Sequence, residues 1–269
     1  LKLQPCCHVP FADTNGQIYH LYLNGLYWGL PYGHERSDDD FAASYFGGSN
    51  TDYDVLKNTT FGLQVVSGDT VAWSAALALA NTGLTNNAQY EELQQYVDMD
   101  NLIDYMIVNH WVGNDDWPQH NWYLTRKRDT GEGFKFLIWD AEHVLKDVNV
   151  NRTTVNAGGS PAQIYLALIN NTEFRLRYAD RLQKHFFNSG LFYTDPNPAN
   201  ALWDPAHPER NVPASYYMKR INEIDTAIVD ESARWGGYLL NTNYTRNGHW
   251  LRELNNLLGY TNNAGNTAN

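Results

Sequence analysis

The segment that most constrains the fold is a stretch that is apolar nearly all round. It follows Asp98 and Asp100, either of which can cap a helix, and it contains Leu102, Ile103, Tyr105, Met106, Ile107 and Val108. A helix without a polar face has to be buried. The sequence therefore predicts that this helix lies in the centre of a domain and that the residues after it emerge from a rigid core.

Two acidic clusters follow this helix, each at the edge of an apolar run. Asp115 and Asp116 come first, and Asp140 and Glu142 end a run over residues 133–140 that is predicted to be a strand. Asn121 lies between the clusters and adds a neutral oxygen. Carboxylate and amide oxygens are ligands of hard cations. The stretch from 109 to 142 is therefore a candidate Mg²⁺ site.

The remaining patterns predict an α+β fold with strands early and helices late. Asn24-Gly25 between two aromatic runs predicts a type I′ hairpin. Asp38 to Asp40 cap a short helix that ends at Gly47-Gly48, and two strands follow over residues 52–57 and 61–66. Helices are predicted over 71–80, 87–97, 98–108, 164–169, 172–188, 214–235 and 250–258.

The composition of the chain argues against some classes of binding partner. A net charge of −11 over 269 residues argues against nucleic acid and against an anionic membrane surface. No apolar run reaches the length of about eighteen residues that suggests a membrane-spanning helix. The aromatic share of 14% fits either a carbohydrate-facing surface or a large aromatic core.

Few covalent features can be read from the chain. Cys6 and Cys7 are adjacent and are expected to be free thiols or to form an intermolecular link. Four Asn-x-Ser/Thr sequons are glycosylation acceptors only in a suitable secretory pathway; they begin at Asn58, Asn151, Asn170 and Asn243. The first residue is Leu1, so we expect a processed chain or a fragment.

The interval between Asp116 and Asn121 has a chemical precedent. In the catalytic loops of protein kinases, an aspartate accepts the proton of the substrate hydroxyl, and an asparagine five positions later binds Mg²⁺. A later acidic residue at a strand end completes that cation site, and Asp140 has this placement. The interval alone is weak because chance produces it often.

Longer segments resemble the CotH kinase family, which contains the atypical kinases of spore coats. The resemblance covers about residues 17–258 and is carried by Leu23-Asn-Gly-Leu-Tyr-Trp-Gly-Leu, Glu35-Arg, Asp40-Phe-Ala-Ala-Ser-Tyr-Phe-Gly-Gly, Asp52-Tyr-Asp-Val-Leu-Lys, Gly113-Asn-Asp-Asp-Trp-Pro-Gln-His-Asn-Trp-Tyr, Ile138-Trp-Asp-Ala-Glu-His, Tyr178-Ala-Asp-Arg-Leu-Gln-Lys-His-Phe-Phe and Glu231-Ser-Ala-Arg-Trp-Gly. It implies Mg-ATP-dependent phosphorylation of serines in protein substrates. The branch of the family that contains Ala-Arg-Trp-Gly looks like large secreted bacterial proteins. The resemblance therefore implies an extracellular or cell-surface location.

The resemblance also implies a domain organisation. Residues 1–258 would be one domain with a divergent protein-kinase-like fold. Residues 1–66 would be the remnant of a truncated, small, β-rich N-terminal lobe, and residues 67–258 would be a larger, mainly helical C-terminal lobe. Residues 259–269 would be a flexible tail or linker stub.

Carried over by position, the resemblance implies a role for each candidate residue. Asp116 matches the catalytic aspartate, and Asn121 and Asp140 match metal ligands. Glu142 is either a second carboxylate for the cation or a solvated acid.

The surrounding polar residues are implied to have lesser roles. Asp115 is expected to be a supporting or exposed acid. His120 and His143 either contact phosphate or are structural histidines. Glu35 would pair with a lysine that binds the nucleotide.

The departures from the family pattern leave two alternatives open. No Gly-x-Gly-x-x-Gly loop and no phosphate-binding lysine precede the hairpin, and Lys57 is either a substitute or a surface lysine. A site without a phosphate clamp loses positioning and charge neutralisation. The chain could then be an inactive module of the same fold that binds a cation or glycan. Glycoside hydrolysis by the pair Asp140 and Glu142 is a further alternative.

Overall fold

The computed structural model describes residues 16–238 and 243–259. Cys6, Cys7 and the predicted tail beyond Gly259 lie outside the described residues. The chain forms two compact units. The first unit contains Glu35–Arg181, and the second contains residues 16–34 together with the described residues from 182 onwards. The prediction of one domain divided at residue 66 stays a prediction.

The second unit begins with two antiparallel strand pairs. β1 (Gly16–Ile18) pairs with β4 (Tyr32–His34), and β2 (Leu21–Leu23) pairs with β3 (Leu26–Gly29). Asn24 and Gly25 have φ angles of 50° and 80°. A type I′ turn requires positive φ at both positions, so the predicted hairpin is confirmed.

The first unit is built on a four-stranded antiparallel sheet in the order β6-β5-β7-β8. Its strands are β5 (Tyr53–Thr59), β6 (Gly62–Ser67), β7 (Trp122–Lys127) and β8 (Lys135–Ile138). β7 is not among the predicted strands, and β8 ends two residues earlier than predicted. The expectation that strands lie early is also wrong for β7, which comes from the middle of the chain, whereas β8 lies where a strand is predicted.

Helices cover both faces of this sheet, which explains why β7 lacks an alternating pattern. On one face, α1 (Asp39–Phe46) places Phe41 and Ala42 against Tyr123 and Leu137. On the other face, Trp73 lies 6.1 Å from the ring of Trp122. A strand that is buried on both sides shows no polar stripe from which to recognise it.

Three helices separate β6 from β7. They are α2 (Val71–Ala80), α3 (Asn87–Leu93) and α4 (Met99–Trp111). α2 has the predicted bounds. α3 ends four residues earlier than predicted, and Val97 lies outside it and forms a parallel β-bridge with Phe134.

α4 is the buried central helix that the sequence predicts. Asp98 caps it by accepting a hydrogen bond from the backbone N–H of Asn101 at 3.1 Å. Six of its apolar residues are no more than 2% exposed; they are Met99, Leu102, Ile103, Tyr105, Met106 and Ile107. The position of α4 fixes the start of the segment that carries Asp116.

Two further helices follow β8. They are α5 (Pro161–Leu168) and α6 (Thr172–Phe186). Within the first unit, Arg181 of α6 pairs with Asp104 of α4, which is fully buried. The pair joins the central helix to α6 and compensates the buried carboxylate.

The second unit ends in α7 (Val212–Ile224), α8 (Ile228–Trp235) and α9 (Leu251–Leu258). The prediction of one helix over 214–235 is wrong, because the chain breaks between α7 and α8. At the break, the carboxylate of Asp225 accepts hydrogen bonds from Arg246 and Trp250. These partners are distant in sequence, so no local signal marks the break.

The mixture of helices with small sheets confirms the α+β class. Over the described ranges, no helix combines the length and the apolar character needed to cross a membrane.

Candidate functional site

The register of β7 and β8 brings two candidate residues to one end of the sheet. Trp122, the first residue of β7, is paired with Ile138, the last residue of β8. Asn121 immediately precedes the first strand, and Asp140 lies two residues beyond the second. Residues 19 positions apart in sequence therefore reach the same edge.

Both residues have a left-handed backbone. The φ angle is 63° at Asn121 and 54° at Asp140. Asn and Asp are the non-glycine residues that most readily adopt this conformation. Such conformations are less stable for L-residues and are common at functional sites, so the backbone at the two strand ends is consistent with the predicted site.

The Asp116 carboxylate is held between two side chains. Its Oδ2 accepts a hydrogen bond from Asn121 Nδ2 at 2.8 Å, and its Oδ1 lies 2.8 Å from His120 Nε2. Asn121 is 5% exposed, whereas about a third of the Asp116 side chain is accessible to solvent. Asp116 is thus oriented by a buried amide and a partly buried imidazole, and its carboxylate remains partly exposed to solvent.

A chain of buried amides fixes the backbone at Asp116. The Asp116 N–H donates to Asn114 Oδ1 at 3.3 Å, Asn114 donates to Asn109, and Asn109 donates to the Tyr105 carbonyl. The indole N–H of Trp117 also donates to the Tyr105 hydroxyl at 2.8 Å. Asn109 and Asn114 are functional candidates without a predicted role, although both lie in the stretch singled out from sequence.

Asp140 and Glu142 lie close enough to interact directly. The pKa of the Asp140 carboxyl is raised, first by partial desolvation, then by a hydrogen bond to Glu142 and by the charges of Glu142 and Asp116. Mutual repulsion of this kind is relieved by a cation. It also places Asp116 and Asp140 in one electrostatic cluster.

The amide of Asn121 and the carboxylates of Asp140 and Glu142 are donor types that suit a hard cation. Within the part of the chain that the structure describes, no group of three or more His, Cys, Asp or Glu residues is arranged to hold a metal ion. The candidate set here is different, since one donor is an amide. The NH₂ group of Asn121 is engaged by Asp116, so its carbonyl oxygen is the side-chain atom suited to a cation.

Asp115 has different partners from Asp116. Lys146 Nζ lies 3.2 Å from both Asp115 carboxylate oxygens and 2.8 Å from His143 Nδ1. His143 Nδ1 is 3.5 Å from Asp115, and its Nε2 is 3.8 Å from Glu142. Asp115, His143 and Lys146 therefore form an ion-pair cluster beside the site.

The two candidates for nucleotide binding lie on other elements. Glu35 precedes α1 and accepts a hydrogen bond from the Tyr45 hydroxyl at 2.7 Å. Lys57 of β5 has its ammonium 5.9 Å from the ring centre of Tyr123. Neither contact tests nucleotide binding, so the roles of Glu35 and Lys57 stay predictions.

Glycoside hydrolysis by the pair Asp140 and Glu142 stays a prediction. Retaining glycosidases hold their two carboxyl groups about 5–5.5 Å apart, and inverting enzymes hold them further apart.

Comparison with known families identifies the chain. The family model described as CotH kinase protein matches residues 11–193, a range that includes every candidate site residue. No curated protein matches the chain. Because the matched range covers well over half of the sequence, the chain belongs to the CotH kinase family.

Proposed function

We propose that this domain is an atypical protein kinase that transfers the γ-phosphoryl group of Mg-ATP to serine hydroxyls of protein substrates. The convergence of Asp116, Asn121 and Asp140 at one end of the sheet carries the proposal. Membership of a kinase family supports it. An extracellular or cell-surface bacterial setting is part of the proposal and rests on the sequence resemblance.

The side chains suit the individual steps of phosphoryl transfer. The serine oxygen forms a bond to the γ-phosphorus, the bond to the bridging oxygen breaks and ADP leaves. Asp116 accepts the serine proton, while His120 and Asn121 keep its carboxylate in a fixed direction. Bound Mg²⁺ neutralises charge on the phosphates, and Asn121, Asp140 and Glu142 are the residues that would hold it.

The test compares the full chain with Asp116→Ala in the presence of Mg-ATP and Ser-rich proteins. Loss of a positioned base lowers a rate by about 100- to 10,000-fold, so the variant should incorporate almost no phosphate. Asp180→Ala is the matched control, because Asp180 is an exposed aspartate on α6 in the same unit. Equal phosphate incorporation by the wild type and Asp116→Ala contradicts the proposal.

A second candidate function is a catalytically inactive module that binds a cation or glycan at a cell surface. Exposed aromatic rings on the strands of the second unit, and between β1 and β2, favour it, since such rings can stack on sugars. Those that are 42–56% exposed are Tyr19, Tyr22, Trp28 and Tyr32. Calorimetry with Mg²⁺, Ca²⁺, ATP and oligosaccharides separates the two functions. Glycan binding without any effect of nucleotide favours the module.

A further inference from the structure

The segment 143–152, which follows Asp140, runs along the residues that lead into Asp116. The Asp115 N–H donates to the His143 carbonyl at 3.1 Å, and the Leu145 N–H donates to the Val112 carbonyl at 2.7 Å. Two backbone hydrogen bonds therefore fasten this segment to residues 112–115. The two acidic clusters are joined by these bonds as well as by the sheet.

Side-chain contacts extend the attachment towards Asp116. A Cβ at Gly113 would lie 3.4 Å from Val150 Cγ1, in van der Waals contact. Lys146 reaches Asp115 from the same segment. Residues 143, 145, 146 and 150 of the segment therefore lie against residues 112–115, which lead into Asp116.

Arg152 contacts the residue that follows the candidate base. Its Nη2 donates a hydrogen bond to the carbonyl oxygen of Trp117, the residue after Asp116. Trp117 is fully buried, and Arg152 Nε is buried without a hydrogen-bond partner. Burying part of a guanidinium without a partner is unfavourable. A residue with an apolar side chain would avoid that penalty but could not hold the carbonyl.

The neighbouring ring of His110 accepts no hydrogen bond from Arg152. The ring of His110 lies 6.2 Å from that of Trp117, and its pKa is lowered to about 4, first by burial and then by the charge of Arg152. His110 is therefore neutral near pH 7, and both of its ring nitrogens are buried without a partner. The Trp117 carbonyl is the contact through which Arg152 acts on the turn.

We propose that Arg152 is a positioning residue for Asp116. By holding the Trp117 carbonyl it sets the direction of the Asp116 carboxylate, and it makes that direction depend on the conformation of the 143–152 segment. Asn114 holds the N–H of Asp116 on the other side, so the two contacts fix the backbone on both sides of the carboxylate. This inference rests on the proposed function, in which Asp116 is the base.

The kinetic test uses the full chain with Arg152→Met, which keeps the apolar stem and removes every donor. Misplacement of a reacting group by about 1 Å lowers rates by up to about 100-fold. We expect kcat to fall by about 10- to 100-fold, with the KM for ATP unchanged within about twofold. Arg152→Lys should recover most of the rate, because its ammonium can donate to the same carbonyl. Arg175→Met is the control, since Arg175 is exposed on α6.

A second measurement does not depend on activity. Amide chemical shifts of residues 116, 117, 119 and 120 should change in Arg152→Met and stay unchanged in Arg175→Met. The pKa of His110 should rise in Arg152→Met alone. If Arg152→Met does not fold, Arg152→Gln replaces it, because its amide is too short to reach the carbonyl.

The outcomes are distinct for the two proposals. A kcat for folded Arg152→Met equal to that of Arg175→Met, or unchanged shifts in the turn, overturns the role of Arg152. If the wild-type chain transfers no phosphate, the proposed function fails. The shift measurement then decides about Arg152 alone: a changed turn supports its positioning role and an unchanged turn overturns it.

Discussion

Among single residues, His110 has the environment that depends most clearly on pH. Its ring lies 5.2 Å from Tyr165 and 6.2 Å from Trp117, and neither ring nitrogen has a hydrogen-bond partner. The pKa is lowered from 6.5 to about 4, first by burial and second by Arg152. The folded state thus binds a proton at His110 less tightly than the unfolded state does.

This difference predicts acid lability. Stability from a buried neutral histidine is present above its unfolded pKa and is lost as the pH falls from about 6.5 to about 4, by about 3 kcal/mol in total. His110→Gln should lack this part of the pH dependence. The free energy of unfolding, measured in urea at about pH 7 and about pH 5, checks this. Equal pH slopes for the wild type and the variant contradict it.

The site residues differ in how readily each can be predicted from the sequence. Asp116 and Asn121 are recognisable because their interval is short and their chemistry is specific. Asp140 is recognisable because it ends an apolar run. Arg152 carries no such signal, since its contact with Trp117 spans 35 positions and exists only after the chain folds back.

Among elements, the β5–β6 hairpin offers a comparison of two glycines with left-handed backbones. Gly62 begins β6 and has a φ of 90°, with open space where a Cβ would be. Gly68 follows β6 with a φ of 71°, and a Cβ there would lie 2.1 Å from Asp54 Oδ1. Backbone strain is common to both positions, whereas steric overlap is confined to Gly68.

We therefore expect the two alanine variants to differ in stability. Gly62→Ala should lower the free energy of unfolding by about 1–2 kcal/mol, the penalty of a left-handed L-residue. Gly68→Ala should lower it further, by about 1–3 kcal/mol, because Asp54 must move while it is buried and paired with Arg128. Urea unfolding of both variants measures the difference. Equal losses would show that Asp54 accommodates the methyl group without strain.

Elements with local signals were predicted closely, and those decided by distant contacts were not. α2 has its predicted bounds because Ala and Leu favour helix and no residue within it interrupts the pattern. The hairpin at Asn24-Gly25 follows from the φ preferences of those two residues. In contrast, β7 depends on burial of both sheet faces, and the break between α7 and α8 depends on partners of Asp225 that lie more than 20 positions away.

For the whole molecule, the two units differ in how completely their apolar residues are buried. Many apolar residues of the first unit are fully buried, including Val55, Leu56, Ala76 and Leu124. In the described part of the second unit, the buried apolar residues keep 5–9% of their surface exposed; they are Ile221, Ala227, Ile228, Leu254 and Leu258. The second unit therefore has less apolar burial to oppose local unfolding.

Hydrogen exchange on the full chain should reveal this difference. Amides of α4, β5 and β7 should exchange slowest, and amides of α7, α8 and α9 should exchange at least about tenfold faster. Peptide-resolved mass spectrometry measures both sets in one sample. Equal protection of α4 and α7 contradicts the prediction and indicates one cooperative unit.

The sequence by itself determined the buried central helix, the hairpin turn, the α+β class, the family and the residues proposed to do chemistry. These features depend on the periodicity of apolar residues, on local backbone preferences and on short motifs, all of which are contained in neighbouring residues. Only the tertiary structure decided that Asn121 and Asp140 meet at one sheet end, that Asn109 and Asn114 hold the Asp116 backbone and that Arg152 reaches the Trp117 carbonyl. Those contacts depend on strand register and chain reversal, which bring together residues whose separation along the chain carries no local signal.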